Sequence, residues 1–598
     1  ISFQLGSYNE NEVLTIDPVV RLWGTYYGGS GTEYGRSCAT DASGNLYLAG
    51  RTQSTNGIAT TGAHQTTYGR GNRDAYLVKF NSSGVRQWGT YYGGTGTDYG
   101  ESCATDASGN VYLAGYTAST NGIATTGAHQ ATYGSTGDAF LVKFNSSGVR
   151  QWGTYYGGTG GEYGGSCATD TSGNVYLAGY TTSTNGIATT GAHQPAKGRN
   201  SSAFLVKFNS LGVRQWGTYY GGIDNTYSYS CATDASGNVY LAGETQSSNA
   251  IATTGAHQPA NGGGQYDAFL VKFNSSGVRQ WGTYYGGTGG EYGGSCATDT
   301  SGNVYLAGYT ASTNGIATTG AHQATYGGGF YDAFLVKFNS SGVRQWGTYY
   351  GGTGLDEGLS CATDASGNVY LAGNTYSTTA ITTTVAHQTT YGGSRDAFLV
   401  KFNSSGVRQW GTYYGGSGSE AGSTSCANYT GGNVYLAGDS PSTTGMATTG
   451  AHQTTYGGGS YDAFLVKFDG CPATYSQDTI TACDSYTWID GVTYTLSDTT
   501  AKDTLVNAAG CDSIVSLFLT INNSTTVIDT ITACDSYTWI DGVTYTLSDT
   551  TAKDTLVNAA GCDSIVSLFL TINNSTSVID TITACDSYTW IDGVTYYD

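Results

Sequence analysis

Residues 102–115 read SCATDASGNVYLAG and residues 139–156 read AFLVKFNSSGVRQWGTYY, and close variants of both segments recur along the 598-residue chain. Each segment consists of two short apolar runs joined by a turn, at 106–110 and at 145–148. Gly and Asn accept positive φ, and Asp or Ser oxygens cap local N–H groups, so such turns are hairpin signals. One repeat therefore predicts four β-strands.

The period of 64 to 65 residues predicts a β-propeller with one blade per repeat, because short strands and Gly-rich turns fill the whole period. Seven copies predict seven blades. One Trp marks each copy, at Trp23, Trp88, Trp152, Trp216, Trp281, Trp346 and Trp410. One Cys per copy lies mid-strand, and we expect these seven thiols to be buried, unpaired and apolar in behaviour.

The order of the segments predicts how the ring closes. Residues 19–27 (VVRLWGTYY) are a fourth-strand sequence without a third strand before them. Residues 463–468 (AFLVKF) are a third-strand sequence without a fourth strand after them. If residues 19–27 complete the last blade, the ring has no free sheet edge.

The repeat resembles the bacterial SBBP repeat of seven-bladed β-propellers, whose pattern runs roughly T-Y-x-G-G, D-x-x-G-N-x-Y-x-x-G, A-x-Q and D-A-F-x-x-K. Here these motifs are residues 90–94, 106–115, 128–130 and 138–143. The resemblance covers 18–469 and implies an all-β propeller, with 1–17 as the lead-in from a preceding region. It implies no single activity.

A second repeat array follows the propeller. Cys483, Cys534 and Cys585 recur every 51 residues, which divides the rest of the chain into modules at 470–524 and 525–575 and a truncated third at 576–598. These modules resemble small β-sandwich-like, cysteine-containing units near the C-termini of surface and secreted proteins of Bacteroidetes. That resemblance implies export by type IX secretion. We expect the chain to be a segment of a longer protein, because its last residues interrupt the module pattern.

The modules are too small to bury much core, so disulfides are the expected staples. We predict Cys483–Cys511 and Cys534–Cys562, each within one module. The cross-module pair Cys511–Cys534 is the alternative, and Cys471 and Cys585 remain unassigned.

The composition limits the classes of partner that this protein can bind. The net charge of −20 argues against a nucleic-acid partner, because phosphate binding needs a basic surface. No run approaches the roughly 18 apolar residues of a membrane span. We expect an extracellular or cell-surface protein without cofactor or metal, which binds extracellular glycans or protein surfaces or associates with itself.

Two groups of residues are candidates for ligand binding. An acidic residue precedes each first strand and could form a charged ring at the channel mouth, at Glu33, Asp98, Glu162, Asp224, Glu291, Asp356 and Glu420. The second group is aromatic, at Tyr227, Tyr229, Tyr266 and Tyr331. The least uniform loops, such as 197–202 and 261–266, join second to third strands and so share one face of the ring, where propellers usually bind partners.

No catalytic constellation is visible, because nearly every polar residue is repeated sevenfold whereas catalysis needs unlike residues placed once. We expect a non-enzymatic adhesin with a propeller head on a repeat stalk. The alternatives are a building block of a surface filament or sheath and a carbohydrate-active enzyme or its accessory module. A short Asp-Thr/Ser-aliphatic motif is similar to the O-glycosylation motif of Bacteroidetes, at Thr479, Thr504, Ser513, Thr530, Thr555 and Ser564.

Overall fold

The computed structural model describes residues 19–134, 136–384, 386–420, 425–428, 432–469, 474–506 and 512–597. The described residues fall into two compact units, one ending at Asp469 and the other beginning at Thr474. Both consist of strands and turns without a helix, which confirms the all-β prediction. None of these residues forms a helix that could cross a membrane.

The first unit contains seven four-stranded antiparallel sheets, which we call blades. The strands of blades 1 to 3 are β2 (Glu33–Thr40), β3 (Leu46–Thr52), β4 (Asp74–Phe80), β5 (Arg86–Tyr92); β6 (Asp98–Thr105), β7 (Val111–Thr117), β8 (Asp138–Phe144), β9 (Arg150–Tyr156); β10 (Glu162–Thr169), β11 (Val175–Thr181), β12 (Ser202–Phe208) and β13 (Arg214–Tyr220). Those of blades 4 to 6 are β14 (Thr226–Thr233), β15 (Val239–Thr245), β16 (Asp267–Phe273), β17 (Arg279–Tyr285); β18 (Glu291–Thr298), β19 (Val304–Thr310), β20 (Asp332–Phe338), β21 (Arg344–Tyr350); β22 (Asp356–Thr363), β23 (Val369–Thr375), β24 (Asp396–Phe402) and β25 (Arg408–Tyr414).

Blade 7 joins the two ends of the unit. It contains β26 (Ser425–Asn428), β27 (Val434–Ser440), β28 (Asp462–Asp469) and, as its fourth strand, β1 (Val20–Tyr27). β1 runs antiparallel to β28, with Tyr27 opposite Ala463 and Val20 opposite Asp469. The first strand of every blade contacts that of the next, and β26 contacts β2.

The turn between the first two strands of a blade is held by one carboxylate. In blade 2, Asp106 accepts hydrogen bonds from the backbone N–H groups of Ser108 (3.0 Å) and Asn110 (3.0 Å). Lys143 lies 3.3 Å from the same carboxylate. Burial opposes ionisation, but these hydrogen bonds and the ion pair outweigh it and lower the pKa of Asp106. The turn chemistry expected from sequence is therefore present in the structure.

A ring of serine hydroxyls links the blades around the axis. The Oγ of Ser37 accepts a hydrogen bond from the backbone N–H of Cys103 in the next blade at 3.1 Å, and the pattern repeats around the ring to Ser425 and Cys38 at 3.3 Å. All seven of these cysteines are buried free thiols, which confirms their expected packing role. Burial raises the pKa of Cys103 to about 12, so this thiol stays protonated.

The core lies between adjacent blades. The third strand of blade 2, β8, is buried along its whole length. The histidine of each repeat packs at the edge of this core, and His129 contacts Phe208 and Tyr156 with ring centroids 5.7 and 6.2 Å apart. Burial, with a smaller effect of Arg214, lowers the pKa of His129 to about 4. The imidazole is therefore a neutral packing group at pH 7.

The second unit contains two modules of the same topology and a short third hairpin. Its strands are β29 (Thr474–Cys483), β30 (Tyr486–Thr487), β31 (Thr493–Tyr494), β32 (Lys502–Val506), β33 (Asp512–Asn522), β34 (Thr525–Cys534), β35 (Tyr537–Thr538), β36 (Thr544–Tyr545), β37 (Lys553–Val557), β38 (Asp563–Asn573), β39 (Ser587–Thr589) and β40 (Thr595–Tyr597). In each module the first long strand pairs in parallel with the last, β29 with β33 and β34 with β38.

This parallel pairing overturns the predicted disulfides. Cys483 is bonded to Cys562, so neither Cys483–Cys511 nor Cys534–Cys562 forms. The alternative Cys511–Cys534 does not form either, because Cys534 is a free thiol, while Cys511 and Cys471 lie outside the described residues.

The reason is the direction of the strands. Cys534 ends β34 beside Asn573, whereas Cys562 precedes β38 at its opposite end. Cys562 and Asn573 are eleven residues apart along this strand, a distance of about 36 Å that is far beyond the reach of a disulfide.

Candidate binding site at the mouth of the central channel

The predicted acidic ring is not on the channel surface. The side chains of Glu33, Asp98, Glu162, Glu291, Asp356 and Glu420 are buried. Asp98 shows why: it accepts hydrogen bonds from Ser119 Oγ (2.8 Å), Gly94 N (2.9 Å) and Thr117 Oγ1. The Asp98 carboxylate thus joins the start of the first strand to the end of the second strand of the same blade and does not line the channel.

Blade 4 departs from the pattern. The residue equivalent to Asp98 is Thr226, whose hydroxyl lies 2.9 Å from that of Thr245. Asp224 instead lies in the preceding turn, half-buried, and its backbone N–H donates to Ser247 Oγ at 2.9 Å. The prediction is therefore wrong in blade 4 on two counts: the structurally equivalent residue is Thr226 rather than an acid, and Asp224 lies in the preceding turn.

The predicted tyrosines do come together. Tyr227 and Tyr229 lie on β14, and Tyr266 contacts both Tyr227 and Tyr292, with ring centroids 6.2 and 5.7 Å apart. Tyr331 completes the group through Tyr292 at 5.5 Å. All are half-buried, so part of each ring faces solvent.

This group continues around the ring into blades 2 and 3. Tyr99 stacks on Tyr116 with centroids 4.4 Å apart, and Tyr116, Tyr163 and Tyr180 follow at 4.7 and 4.9 Å. Tyr180 then contacts Tyr227 at 4.8 Å, edge to face. We call the whole set the tyrosine belt: Tyr99, Tyr116, Tyr163, Tyr180, Tyr227, Tyr229, Tyr266, Tyr292, Tyr309 and Tyr331.

Arginines flank the belt in blade 1. The Arg51 guanidinium lies over the ring of Tyr99, 4.7 Å from its centroid, and 3.1 Å from the Glu101 carboxylate. Arg73 lies over Tyr34 at 4.9 Å. Guanidinium groups over tyrosine faces gain cation–π energy.

Two buried acids belong to the same region. Glu244 accepts a hydrogen bond from the Tyr229 hydroxyl at 3.2 Å, and burial raises its pKa to about 7. Burial also raises the pKa of Asp439 to about 7, against the opposing charges of Arg36 and Arg51. One oxygen of Asp439, Oδ1, has no hydrogen-bond partner among the described residues. Both acids therefore titrate near neutral pH.

Beneath the belt lies a cavity of about 350 Å³ on the axis. All seven blades contribute to its wall through the serine ring, and Tyr163, Tyr229, Tyr292, Tyr309 and Glu244 line it together with Arg36 and Glu101. The wall thus combines hydroxyls, aromatic faces and both signs of charge. The described residues contain no cluster of three His, Cys, Asp or Glu side chains able to hold a metal ion.

The sequence held a signal for this site that was missed. The residue after Leu-Ala-Gly in the second strand varies from blade to blade inside an otherwise constant motif, as Arg51, Tyr116, Tyr180, Glu244, Tyr309, Asn374 and Asp439. The residue before Ser-Cys in the first strand varies in the same way. These variable positions within constant strands are the places where the blades differ from one another.

The predicted O-glycosylation sites lie in the second unit. Thr479, Thr504, Thr530 and Thr555 are exposed, whereas Ser564 is half-buried and accepts a hydrogen bond from Thr525 at 2.9 Å. The side chain of Ser513 lies outside the described residues. Glycosylation at these residues stays a prediction.

Comparisons with known proteins support the propeller repeat. The family model described as the SBBP beta-propeller repeat matches residues 87–123 and 215–249. No curated protein matches the chain.

Solved structures align only loosely. A protein of unknown function from Dyadobacter fermentans DSM 18053 is 11% identical, with 76% of this chain and 99% of that chain covered and a TM-score of 0.34. The phage phi92 endosialidase is 10% identical, with 96% and 82% covered and a TM-score of 0.36. A PL25 ulvan lyase is 10% identical, with 70% and 93% covered and a TM-score of 0.39. The family match and the four-stranded sheets together establish a β-propeller repeat protein.

Proposed function

We propose that this chain is a non-enzymatic extracellular binding protein of a bacterial surface. Its head is a closed seven-bladed propeller that binds glycans at the tyrosine belt, and its stalk is the array of cysteine-containing modules. The charge of −20, which keeps a surface protein soluble, and the disulfide of the stalk support an extracellular location.

One observation carries the binding proposal. The blades are nearly uniform, yet the residues that vary between them converge on one end of one channel. A propeller that served only as a spacer would need no such variation, because packing imposes the same residues on every blade. Unlike residues placed once around a symmetric ring are what recognition of an asymmetric ligand requires.

The chemistry of the belt suits saccharides. Half-buried tyrosine rings offer flat apolar faces for the C–H faces of sugar rings, and their hydroxyls remain available as donors and acceptors. Glu244 and Arg51 can then hydrogen-bond sugar hydroxyls or pair with charged substituents. Burial holds the pKa of Glu244 at about 7, so this carboxyl changes from acceptor to donor within the neutral range.

The test is a polysaccharide and glycan-array binding assay on the full chain at pH 6 and pH 8. We expect saturable binding that Tyr292→Ala and Glu244→Gln each weaken at least about tenfold, equivalent to 1.4 kcal/mol. Phe330→Ala is the matched control, because this aromatic side chain is 80% exposed and outside the belt. Equal binding by all three variants would refute the belt as the site.

The same samples test the absence of enzymatic activity. Incubation of the chain with each bound polysaccharide should leave its chain length unchanged by size-exclusion chromatography. Products of lower mass that disappear in Glu244→Gln would show a carbohydrate-active enzyme instead.

A further inference from the structure

The disulfide Cys483–Cys562 links the end of the first module to a turn of the second. Two side-chain hydrogen bonds accompany it. Asn522 Nδ2 donates to the carbonyl of Ala560 (3.4 Å), and Asn558 Nδ2 donates to the carbonyl of Asn523 (3.2 Å). The turn at 558–562 thus docks on the end of the first module, which we call the end face: Cys483, Asp484, Asn522, Asn523 and Ser524.

The second module has the same end face in the same conformation. Asp484 has a φ of +62°, and its carboxylate accepts hydrogen bonds from Ser524 N (2.8 Å) and Ser524 Oγ (2.6 Å). Its counterpart Asp535 has a φ of +65°, and its carboxylate accepts hydrogen bonds from Ser575 N (2.6 Å) and Ser575 Oγ (2.5 Å).

The strand ends of the two faces also agree. Cys534 lies opposite Asn573 in the parallel register, as Cys483 lies opposite Asn522. The Asp535 N–H donates to the Asn573 carbonyl at 3.1 Å, and the Asp484 N–H to the Asn522 carbonyl at 2.9 Å. The residues that hold the docked turn in the first module are therefore present and similarly arranged in the second, where Cys534 is an exposed free thiol.

We infer that the end face of the second module, formed by Cys534, Asp535, Asn573, Asn574 and Ser575, is a covalent docking site for the Asn-Ala-Ala-Gly-Cys turn of another module of this repeat. We identify the binding partner by analogy with the first module. There, the turn at residues 558–562 lies on the end face and is joined to it by the Cys483–Cys562 disulfide. Each module is then linked to the next by a disulfide. This disulfide spans more than one repeat, since Cys483 and Cys562 are 79 residues apart.

The bond forms by oxidation of two thiols. The Cys534 thiol and the thiol of the incoming cysteine together lose two electrons and two protons, and a disulfide oxidant accepts both and is reduced to two thiols. The docked turn contributes by holding the incoming sulfur beside Cys534 before the exchange.

Cys585 provides the control within the same chain. It occupies the same place in the repeat and is also an exposed free thiol, but residues 574–584 form no strand, so no paired strand end stands beside it. If the rate of disulfide formation depended only on the exposure of the thiol, Cys534 and Cys585 would react at equal rates.

The experiment uses the full chain and a synthetic peptide, Val-Asn-Ala-Ala-Gly-Cys-Asp-Ser-Ile, whose cysteine is activated as a mixed disulfide with thionitrobenzoate. Attack by the protein thiolate forms the protein–peptide disulfide and releases the coloured thiol. Release is followed by absorbance, and non-reduced peptide mapping identifies the modified cysteine. A scrambled peptide with the same composition is run in parallel.

We expect the native peptide to modify Cys534 about tenfold faster than Cys585, because two extra hydrogen bonds hold the docked turn. The scrambled peptide should modify the two cysteines at similar rates. Asn573→Ala removes one of the two hydrogen bonds, so it should lower the preference for Cys534 to about threefold while leaving the rate at Cys585 unchanged. Equal rates at both cysteines with the native peptide, or the same preference with the scrambled one, would overturn the inference.

Discussion

Buried carboxyl pairs at the joints between blades make a sharp prediction about pH. At six of the seven joints, the start of the third strand brings an aspartate beside the first-strand acid of the next blade, in the pairs Asp74/Asp98, Asp138/Glu162, Asp267/Glu291, Asp332/Asp356, Asp396/Glu420 and Asp462/Glu33. At the remaining joint, both acids are replaced together by Ser202 and Thr226, which are equally buried. The fold therefore tolerates neutral residues at these positions.

The perturbation is Asp138→Asn. The Asp138 side chain is fully buried; Oδ2 accepts hydrogen bonds from Gln130 (2.7 Å) and Gly134 N (2.9 Å), while Oδ1 has no partner among the described residues. Burial raises the pKa of Asp138 from 3.8 to about 6.

The sign follows from this raised pKa. The folded state prefers protonated Asp138, so this contribution to stability is complete below pH 3.8 and is lost as the pH rises through about 6. At 1.36 kcal/mol per pKa unit, the ionised form costs about 3 kcal/mol at pH 8. Asparagine is neutral at every pH, so Asp138→Asn should raise the free energy of unfolding by about 1–3 kcal/mol at pH 8 and by little at pH 4.

The assay is urea unfolding of the full chain, followed by tryptophan fluorescence at pH 4, 6 and 8. Asp106→Asn is the matched control, since hydrogen bonds and Lys143 lower the pKa of Asp106 despite its burial. That variant should lose stability at pH 8 by about 1–3 kcal/mol. If Asp138→Asn destabilised the chain equally at pH 4 and pH 8, the carboxyl-pair reasoning would be refuted.

Two further predictions concern closure and packing. Deletion of residues 1–27 should lower the free energy of unfolding by at least about 3–6 kcal/mol, the burial energy of the two tyrosines of β1; an unchanged calorimetric melting curve would contradict closure by this strand. Gly153→Ala should destabilise the chain by about 2 kcal/mol or more, because its Cβ would lie 2.6 Å from both the Ile123 carbonyl oxygen and the Tyr92 hydroxyl. Gly127→Ala, at φ +78° with no atom within 4 Å, isolates the backbone cost of about 1 kcal/mol, and equal melting temperatures for the two variants would count against steric exclusion.

The turns and the repeat could be predicted from sequence because their causes are local. Asp106 and Asn110 form their hydrogen bonds within one turn, so the residues that direct the chain into a hairpin are neighbours in sequence. Because each copy repeats those causes, the number of four-stranded units follows from the number of copies. The buried cysteines followed from their place in the middle of apolar strands.

The location of the proposed binding surface could be derived only from the tertiary structure. Successive residues of a strand face opposite sides, so Glu33 and Tyr34 cannot both face the channel. A β-bulge between Gly35 and Ser37 adds a further shift that no hydrophobic pattern reveals. The acids are consequently buried, whereas the tyrosines that follow them in blades 2, 3 and 5, Tyr99, Tyr163 and Tyr292, belong to the belt.

Local sequence was enough to specify the strands, the turns and the repeat, since these depend on contacts between residues close in the chain. The partner of a cysteine depends on which strand ends meet, and parallel pairing of β29 with β33 carries Cys483 to the end next to the following module. Spacing along the chain holds no information about strand direction. The disulfide between two modules and the tyrosines at the channel mouth therefore follow from the three-dimensional arrangement of the strands, which brings together residues far apart in the chain.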